Sequence, residues 1–187
     1  MTGFVWPLPS ADVVGDLPDG GTLRLRAPVD ADLDGLVVSG RDASSLRFTA
    51  LPENYSRADA ALFLRSMRHS PDMMLWIVDD PDNPGHFGGT LEVRLVNRPA
   101  ATVELGYTTA PHLRGRGLMT AVVRLITEFL FDYGVHRVQI TANPENVASC
   151  RVALGAGYRH EGTLREAECL RGVWNDLELF AQLDGDL

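Results

Sequence analysis

The spacing of apolar positions changes several times along this chain, and the changes lay out its elements. Thr22-Leu23-Arg24-Leu25-Arg26 alternates polar and apolar and predicts a first strand. Pro28-Val29-Asp30 opens a helix to about Ser39, and Ser56, with Asp59 three residues on, caps a second helix to about Arg68. Arg41 to Tyr55 reads as a long connection, of a length that often carries function. Met74 to Val78 and Phe87 to Val96 predict strands joined by a turn at Pro81-Asp82-Asn83-Pro84-Gly85, and Ala101 to Thr109 completes a meander. The period then becomes helical. Leu118, Met119, Val122, Val123, Ile126, Phe129, Leu130 and Tyr133 share one side of a helix that Gly134 stops. Arg137 to Thr141 predicts a β segment, Glu145 to Ala156 a helix closed by Gly157, and Tyr158 to Glu168 and Val173 to Gln182 two final strands. Residues 1–20, rich in Pro and Gly around Phe4 and Trp6, read as an arm that packs on the body or a partner, or is partly disordered. With no internal repeat, residues 21–187 form one α/β domain, a mixed sheet with helices on both faces.

Composition narrows the class. The 187 residues, 45% hydrophobic, suffice for one core. Cys150 and Cys169 offer neither a disulfide framework nor zinc spacing and read as small apolar fillers in a reducing compartment. No apolar run is long enough to span a bilayer, and no basic segment precedes an apolar leader, so a cytoplasmic location is expected. Seventeen Lys+Arg against 25 Asp+Glu give a net charge of −8, which disfavours nucleic acid and anionic membranes and suits a cationic substrate. The five histidines lack metal-ligand spacing, and no metal is expected.

The densest chemical signal is His112-Leu113-Arg114-Gly115-Arg116-Gly117, set between the strand ending near Thr109 and the helix from Leu118. A strand, a glycine-rich turn and a helix N-terminus make an anion cradle, because the first helical N–H groups have no intrahelical partner and carry the positive end of the helix dipole. A nucleoside-triphosphate loop would need Lys and Ser/Thr after the last glycine, where this chain has Leu118-Met119. A dinucleotide loop would need a third glycine or alanine where Thr120 stands. A helix-capping turn with surface arginines is the plain alternative to a phosphate site.

The stretch resembles the acetyl-coenzyme A loop of the GCN5-related N-acetyltransferase (GNAT) superfamily, Gln/Arg-x-x-Gly-x-Gly/Ala, with His112 where Gln or Arg is usual. Asn143-Pro144-Glu145-Asn146-Val147-Ala148-Ser149, Leu154-Gly155-Ala156-Gly157-Tyr158, Glu161-Gly162-Thr163-Leu164-Arg165 and Gly172-Val173-Trp174-Asn175-Asp176 follow in the order of its RimJ/RimL-like branch, the ribosomal-protein N-acetyltransferases. The motifs run from about Glu104 to Phe180, and from Thr22 to Arg98 the similarity is architectural. The resemblance implies a single-domain acyl-CoA N-acyltransferase (GNAT) fold, its sheet splayed at a V between Val103–Thr109 and Arg137–Thr141. The pantetheine arm would pair with the open edge beside Leu105, Gly106, Tyr107 and Thr108. The pyrophosphate would rest on backbone amides of Arg114, Gly115, Arg116, Gly117, Leu118 and Met119; His112 reads either as a phosphate contact or as a surface histidine. Asn146 would contact pantetheine, and Asn143 would lie near the acceptor; either also reads as a turn or capping residue.

Acetyl transfer to an amine requires that an ammonium lose a proton, a thioester carbonyl be polarised and a thiolate be protonated. An α-amine, at a pKa of ~8 against ~10.4 for lysine, needs less help. Glu104 is the expected base, or else a salt-bridged strand carboxylate. Ser149 is the expected acid, because Ala153 stands where some relatives carry a tyrosine; a capping hydroxyl is its ordinary role. Tyr107 is expected to pack in the sheet, and Trp76 and Trp174 in the core or the acceptor wall. That wall is expected from Arg41–Tyr55, the Trp76 strand and the hairpin at Leu170-Arg171-Gly172. The function expected is acetyl-CoA-dependent N-acetylation of a primary amine, first a protein N-terminal α-amine. A small amine or antibiotic acceptor, or a non-catalytic acyl-CoA-binding regulatory module, are the alternatives. A homodimer through the arm or an edge strand stays open.

Overall fold

The computed structural model describes residues 3–186. Strands β1 (Val13–Asp16), β2 (Thr22–Arg26), β3 (Met73–Asp80), β4 (Asn83–Asn97), β5 (Thr102–Thr109), β6 (Arg137–Ala142), β7 (Arg159–Leu170) and β8 (Val173–Leu183) make one sheet in the order β1-β2-β3-β4-β5-β6-β8-β7. The helices are α1 (Leu33–Gly40), α2 (Ala43–Phe48), α3 (Arg57–His69), α4 (Leu118–Asp132) and α5 (Val147–Gly155).

Neighbouring strands are antiparallel except β5 and β6, which α4 joins by a crossover and which therefore run parallel. Their pairing stops after Thr102↔Arg137, Val103↔Val138 and Glu104↔Gln139. Beyond that point β5 continues to Thr109 and β6 to Ala142 with a gap between them, and the sheet opens as a V.

Alternation along the strands divides the two faces. Leu91, Val93, Val103 and Leu105 pack in the main core with Val122, Val123, Ile126 and Leu130 of α4. The other face holds a second cluster in which Leu75 packs near Leu33, Leu36, Tyr55, Ala60 and Leu64. Glu92 is registered opposite Leu75 on one side and Gly106 on the other, so it belongs to this second face.

One segment differs from the sequence reading, and in a second, residues 3–20, the arm packs on the body and adds a strand that the sequence pattern did not predict. Arg41–Tyr55 contains α2, whose N-cap Asp42 accepts hydrogen bonds from the Ser44 and Ser45 amides at 3.1 and 3.2 Å. Six residues are too few for a helical period to show. Residues 3–20 are woven into the body: β1 extends the sheet beside β2, Leu8 and Val13 are buried, and Trp6 Nε1 donates to Pro71 O at 2.8 Å. Trp76 is 2% exposed, meets Phe129 edge-on and donates from Nε1 to Ala11 O, which puts it in the core rather than at a cleft wall. No helix among the described residues is long and apolar enough to cross a membrane.

Candidate active site

The opening between β5 and β6 continues as a cleft of about 780 Å³. Leu105, Gly106, Tyr107 and Thr108 line it from β5, and Ile140 to Asn143 from β6 and the turn that follows. The first turn of α4 closes one end, with Gly115, Gly117, Leu118 and Met119 at the cleft surface. Gly115 and Gly117 have φ of 73° and 78°, a left-handed backbone that favours glycine, and a Cβ on either would meet nothing within 4 Å. Gly117 is the N-cap of α4, and among the described residues no side chain caps that helix. The glycines thus hold the turn open while the helix leaves its first N–H groups to a ligand, an arrangement that fits a pyrophosphate.

The cationic side chains of the turn are occupied. Arg114 donates to Asp42 Oδ1 at 2.6 Å, to Ser45 Oγ at 3.3 Å and to Thr109 O at 3.1 Å. Arg116 pairs with Asp82, with Nη2 to Oδ1 at 3.0 Å, and His112 Nε2 lies 3.0 Å from Asp80 Oδ2. Arg114 lines the cleft, whereas Arg116 and His112 turn to the β3–β4 connection. Asp42, Asp80 and Asp82 all sit below the usual carboxylate range. At Asp42 and Asp80 burial pushes upward, but hydrogen bonds from Arg114 and from His112 respectively, with nearby backbone amides, outweigh it. At Asp82 the hydrogen bond from Arg116 leads. Anion binding in the cradle therefore falls to the backbone.

Across the cleft α5 begins at Asn146, whose side-chain oxygen accepts from the Ser149 amide at 3.2 Å. Asn143 Oδ1 accepts from the Glu145 amide at 2.9 Å. Both asparagines line the cleft, and their Nδ2 groups have no hydrogen-bond partner among the described residues. Ser149 also lines it, and its Oγ lies 3.0 Å from the Tyr107 hydroxyl, which also donates to Ser149 O at 3.2 Å. Burial pushes the Tyr107 hydroxyl up to about 12, against the smaller opposite pull of its bond to Ser149. The sequence reading placed Tyr107 in the sheet; its ring packs against the core while its hydroxyl joins Ser149 at the cleft.

Glu104 is elsewhere. It stands at the last paired position before the strands part, where Arg94 forms an ion pair with it and Gln139 Nε2 donates to it at 2.8 Å. Its carboxylate does not line the cleft. The carboxylates that do are Glu92 and Glu168, neither singled out from the sequence. Glu92 reaches the cleft through a cross-strand register, and Glu168 through the β7–β8 hairpin, so no local motif marks them. Ser44, Ser45, Phe48 and Thr49 of the α2 segment supply the facing wall.

Residues 22–159 match the family model for the acetyltransferase (GNAT) domain, and the chain belongs to this family. It is 32% identical over 119 residues to the "Probable N-acetyltransferase YjcK" of Bacillus subtilis, covering 57% of this chain and 66% of that one. It is 31% identical over 83 residues to the ribosomal-protein-serine acetyltransferase of Escherichia coli, covering 44% and 46%. In both cases the chain spans less than two thirds of the relative's length. Its fold is that of Mycobacterium smegmatis RimJ, solved in complex with CoA-disulfide, with a TM-score of 0.83 at 22% identity over 95% of this chain and 90% of that one.

Proposed function

We propose that this protein is an acetyl-CoA-dependent N-acetyltransferase whose acceptor is the α-amine of a polypeptide. The observation that carries the reading is one continuous cleft, running from the uncapped N-terminus of α4 along the parted edges of β5 and β6 to the Tyr107–Ser149 pair. Acetyl-CoA bound there supplies the acetyl group as a thioester. Backbone N–H groups from Gly115 to Met119 hold the pyrophosphate, and the unpaired edge of β5 from Leu105 to Thr108 aligns the pantetheine arm as an added strand. The Asn143 and Asn146 carboxamides offer N–H donors on the opposite edge.

Chemically, the lone pair of the neutral amine forms a C–N bond to the carbonyl carbon, the C–S bond breaks, the nitrogen gives up one proton to water, and the sulfur leaves with the electron pair and takes up a proton. Tyr107, raised to about 12, holds its proton throughout the neutral range and shares it with Ser149 Oγ, so the pair can protonate a departing thiolate. The polypeptide acceptor is supported by the name of the Escherichia coli relative and by a facing wall built from the α2 segment and the β7–β8 hairpin, which Arg171 joins by donating to Leu51 O at 3.0 Å. An α-amine, with a pKa of ~8, needs the least deprotonation.

Thiol release from acetyl-CoA tests this with peptides bearing a free N-terminus, the same peptides N-terminally blocked but carrying lysine, spermidine and an aminoglycoside. Release with the free-terminus set is expected. Tyr107→Phe should lower kcat by about 10²-fold with acetyl-CoA binding kept in calorimetry. Release with small amines alone would overturn the polypeptide acceptor.

A further inference from the structure

Glu92 is a cleft-lining carboxylate that no hydrogen bond or ion pair holds among the described residues. It projects from β4 onto the face covered by α1 and α3, and it lines the cleft. Its cross-strand partner is Gly106, and a Cβ built on that glycine would lie 3.8 Å from Glu92 Cβ and 3.9 Å from Glu92 Oε2. The missing side chain at Gly106 leaves the carboxylate facing the gap where β5 has parted from β6. Among the described residues Glu92 makes no hydrogen bond and no ion pair within 4.0 Å. The contrast with Glu104, held by Arg94 and Gln139 on the same face two residues along β5, is direct.

Residues alternate across a strand, so Gly106 and Tyr107 point to opposite faces. The Tyr107–Ser149 pair therefore lies on the α5 side of the parted strands and Glu92 on the other. A thioester carbonyl held between the strands has a proton donor on one side and a proton acceptor on the other. A half-buried anion without a partner is costly unless a cation completes it. An incoming ammonium is such a cation, and its loss of one proton to the carboxylate is the step that transfer requires.

We propose that Glu92 is the catalytic residue that receives the acceptor ammonium and removes its proton. One N–H proton passes to a Glu92 carboxylate oxygen and the freed lone pair attacks the carbonyl carbon; the C–S bond then breaks, the thiolate takes its proton from the Tyr107–Ser149 pair, and the nitrogen gives its second proton to water, from which the pair is reprotonated. The groups facing Glu92 support the assignment. Burial raises its carboxyl, Arg94 on its own strand pulls the opposite way, and Tyr55 faces it from the segment before α3. The cleft-lining residues of the α2 segment carry no charge, and Glu168 lies on the β7 wall. The proposal rests on the acetyltransferase reading but not on which primary amine is the acceptor.

The test compares wild type, Glu92→Gln, Glu92→Asp and Glu168→Gln on the best amine of the panel above. Glu92→Gln should lose about 10²-fold in kcat/KM and the acidic limb of its pH profile, with acetyl-CoA binding unchanged and partial recovery in Glu92→Asp. An acidic limb that survives in Glu92→Gln and disappears in Glu168→Gln overturns the proposal. A second readout needs no turnover. With carboxyl-¹³C glutamate and CoA bound, the resonance absent from Glu92→Gln should shift when spermidine or a free-terminus peptide is added. No shift at saturating amine also overturns it. Failure of every amine to release thiol would instead strike the function proposed above, while the resonance still scores Glu92.

Discussion

Placing a carboxylate beside Gly106 makes stability depend on pH in a way that identifies Glu92. Burial raises its carboxyl in the folded protein above the unfolded value, with Arg94 opposing. For a raised group, stability is complete while the carboxyl is neutral in both states and falls as pH rises through the folded value. At neutral pH the ionised group therefore costs stability. Glu92→Gln should raise the melting midpoint near pH 7, each kcal/mol gained appearing as about 2–4 °C. The two proteins should converge as pH falls through the carboxylate range, which scanning fluorimetry across that range would read. Equal midpoints at neutral pH would show that the carboxylate is already compensated. Glu104 gives the opposite lesson. It has the residue type and the strand a base needs, yet it stands one position short of where β5 and β6 part, and Arg94 and Gln139 claim it.

Helix α2 is held across the cleft by charged contacts at both ends. Asp42 caps it and accepts from Arg114 of the cradle, and Arg47 pairs with Glu145 at 2.6 Å in the turn before α5. Both pairs couple the acceptor wall to elements that touch the donor. Exposure makes the Arg47–Glu145 pair weak, but Asp42 adds a cap worth about 1 kcal/mol to its ion pair. Asp42→Ala should speed amide exchange across residues 43–48 by about fivefold, the factor for that loss of cap. It should also raise the acceptor KM more than it lowers kcat. Unchanged exchange would mean that packing alone holds α2. Acid should mimic the substitution: Asp42 is depressed in the folded state, so its contribution is full above the unfolded carboxylate value and is lost as pH falls through the folded one.

Throughout the fold the cradle is anchored from the far side of the sheet. Buried Arg26 on β2 pairs with Asp32 at 2.6 Å and with Asp79 of β3 at 2.5 Å, and it donates to Gly85 O at 3.2 Å. Asp79 in turn accepts from the Gly85 amide at 3.2 Å, which shapes the β3–β4 turn that presents Asp80 and Asp82 to His112 and Arg116. The hydrogen bonds that Arg26 donates to Asp32 lead in holding it charged, against the cost of burial. Arg26→Ala leaves buried Asp32 without its cation and buried Asp79 with Arg24 alone, at 3.6 Å, and should cost about 3–5 kcal/mol in urea unfolding. A loss under 1 kcal/mol would mean the carboxylates find water or neutralise cheaply.

The cradle was legible in the chain because it is local: strand, glycine turn and helix start are contiguous from Val103 to Leu118, and positive φ at Gly115 and Gly117 needs no distant contact. The same holds for the amphipathic period of α4 and for the alternation that put helices on both faces. The cleft-lining carboxylates were not legible. Glu92 meets Gly106 through an antiparallel register, and Glu168 arrives on a hairpin that turns at Arg171-Gly172. Side-chain partners were equally hidden, since Asp42, Asp80 and Asp82 are far in sequence from the cationic residues they occupy. Local steric and hydrogen-bonding rules act between neighbours in the chain, so residue order is enough to read them. Which carboxylate is paired and which is left facing a gap depends on strand register and on where two parallel strands diverge, and those follow from packing across the whole sheet.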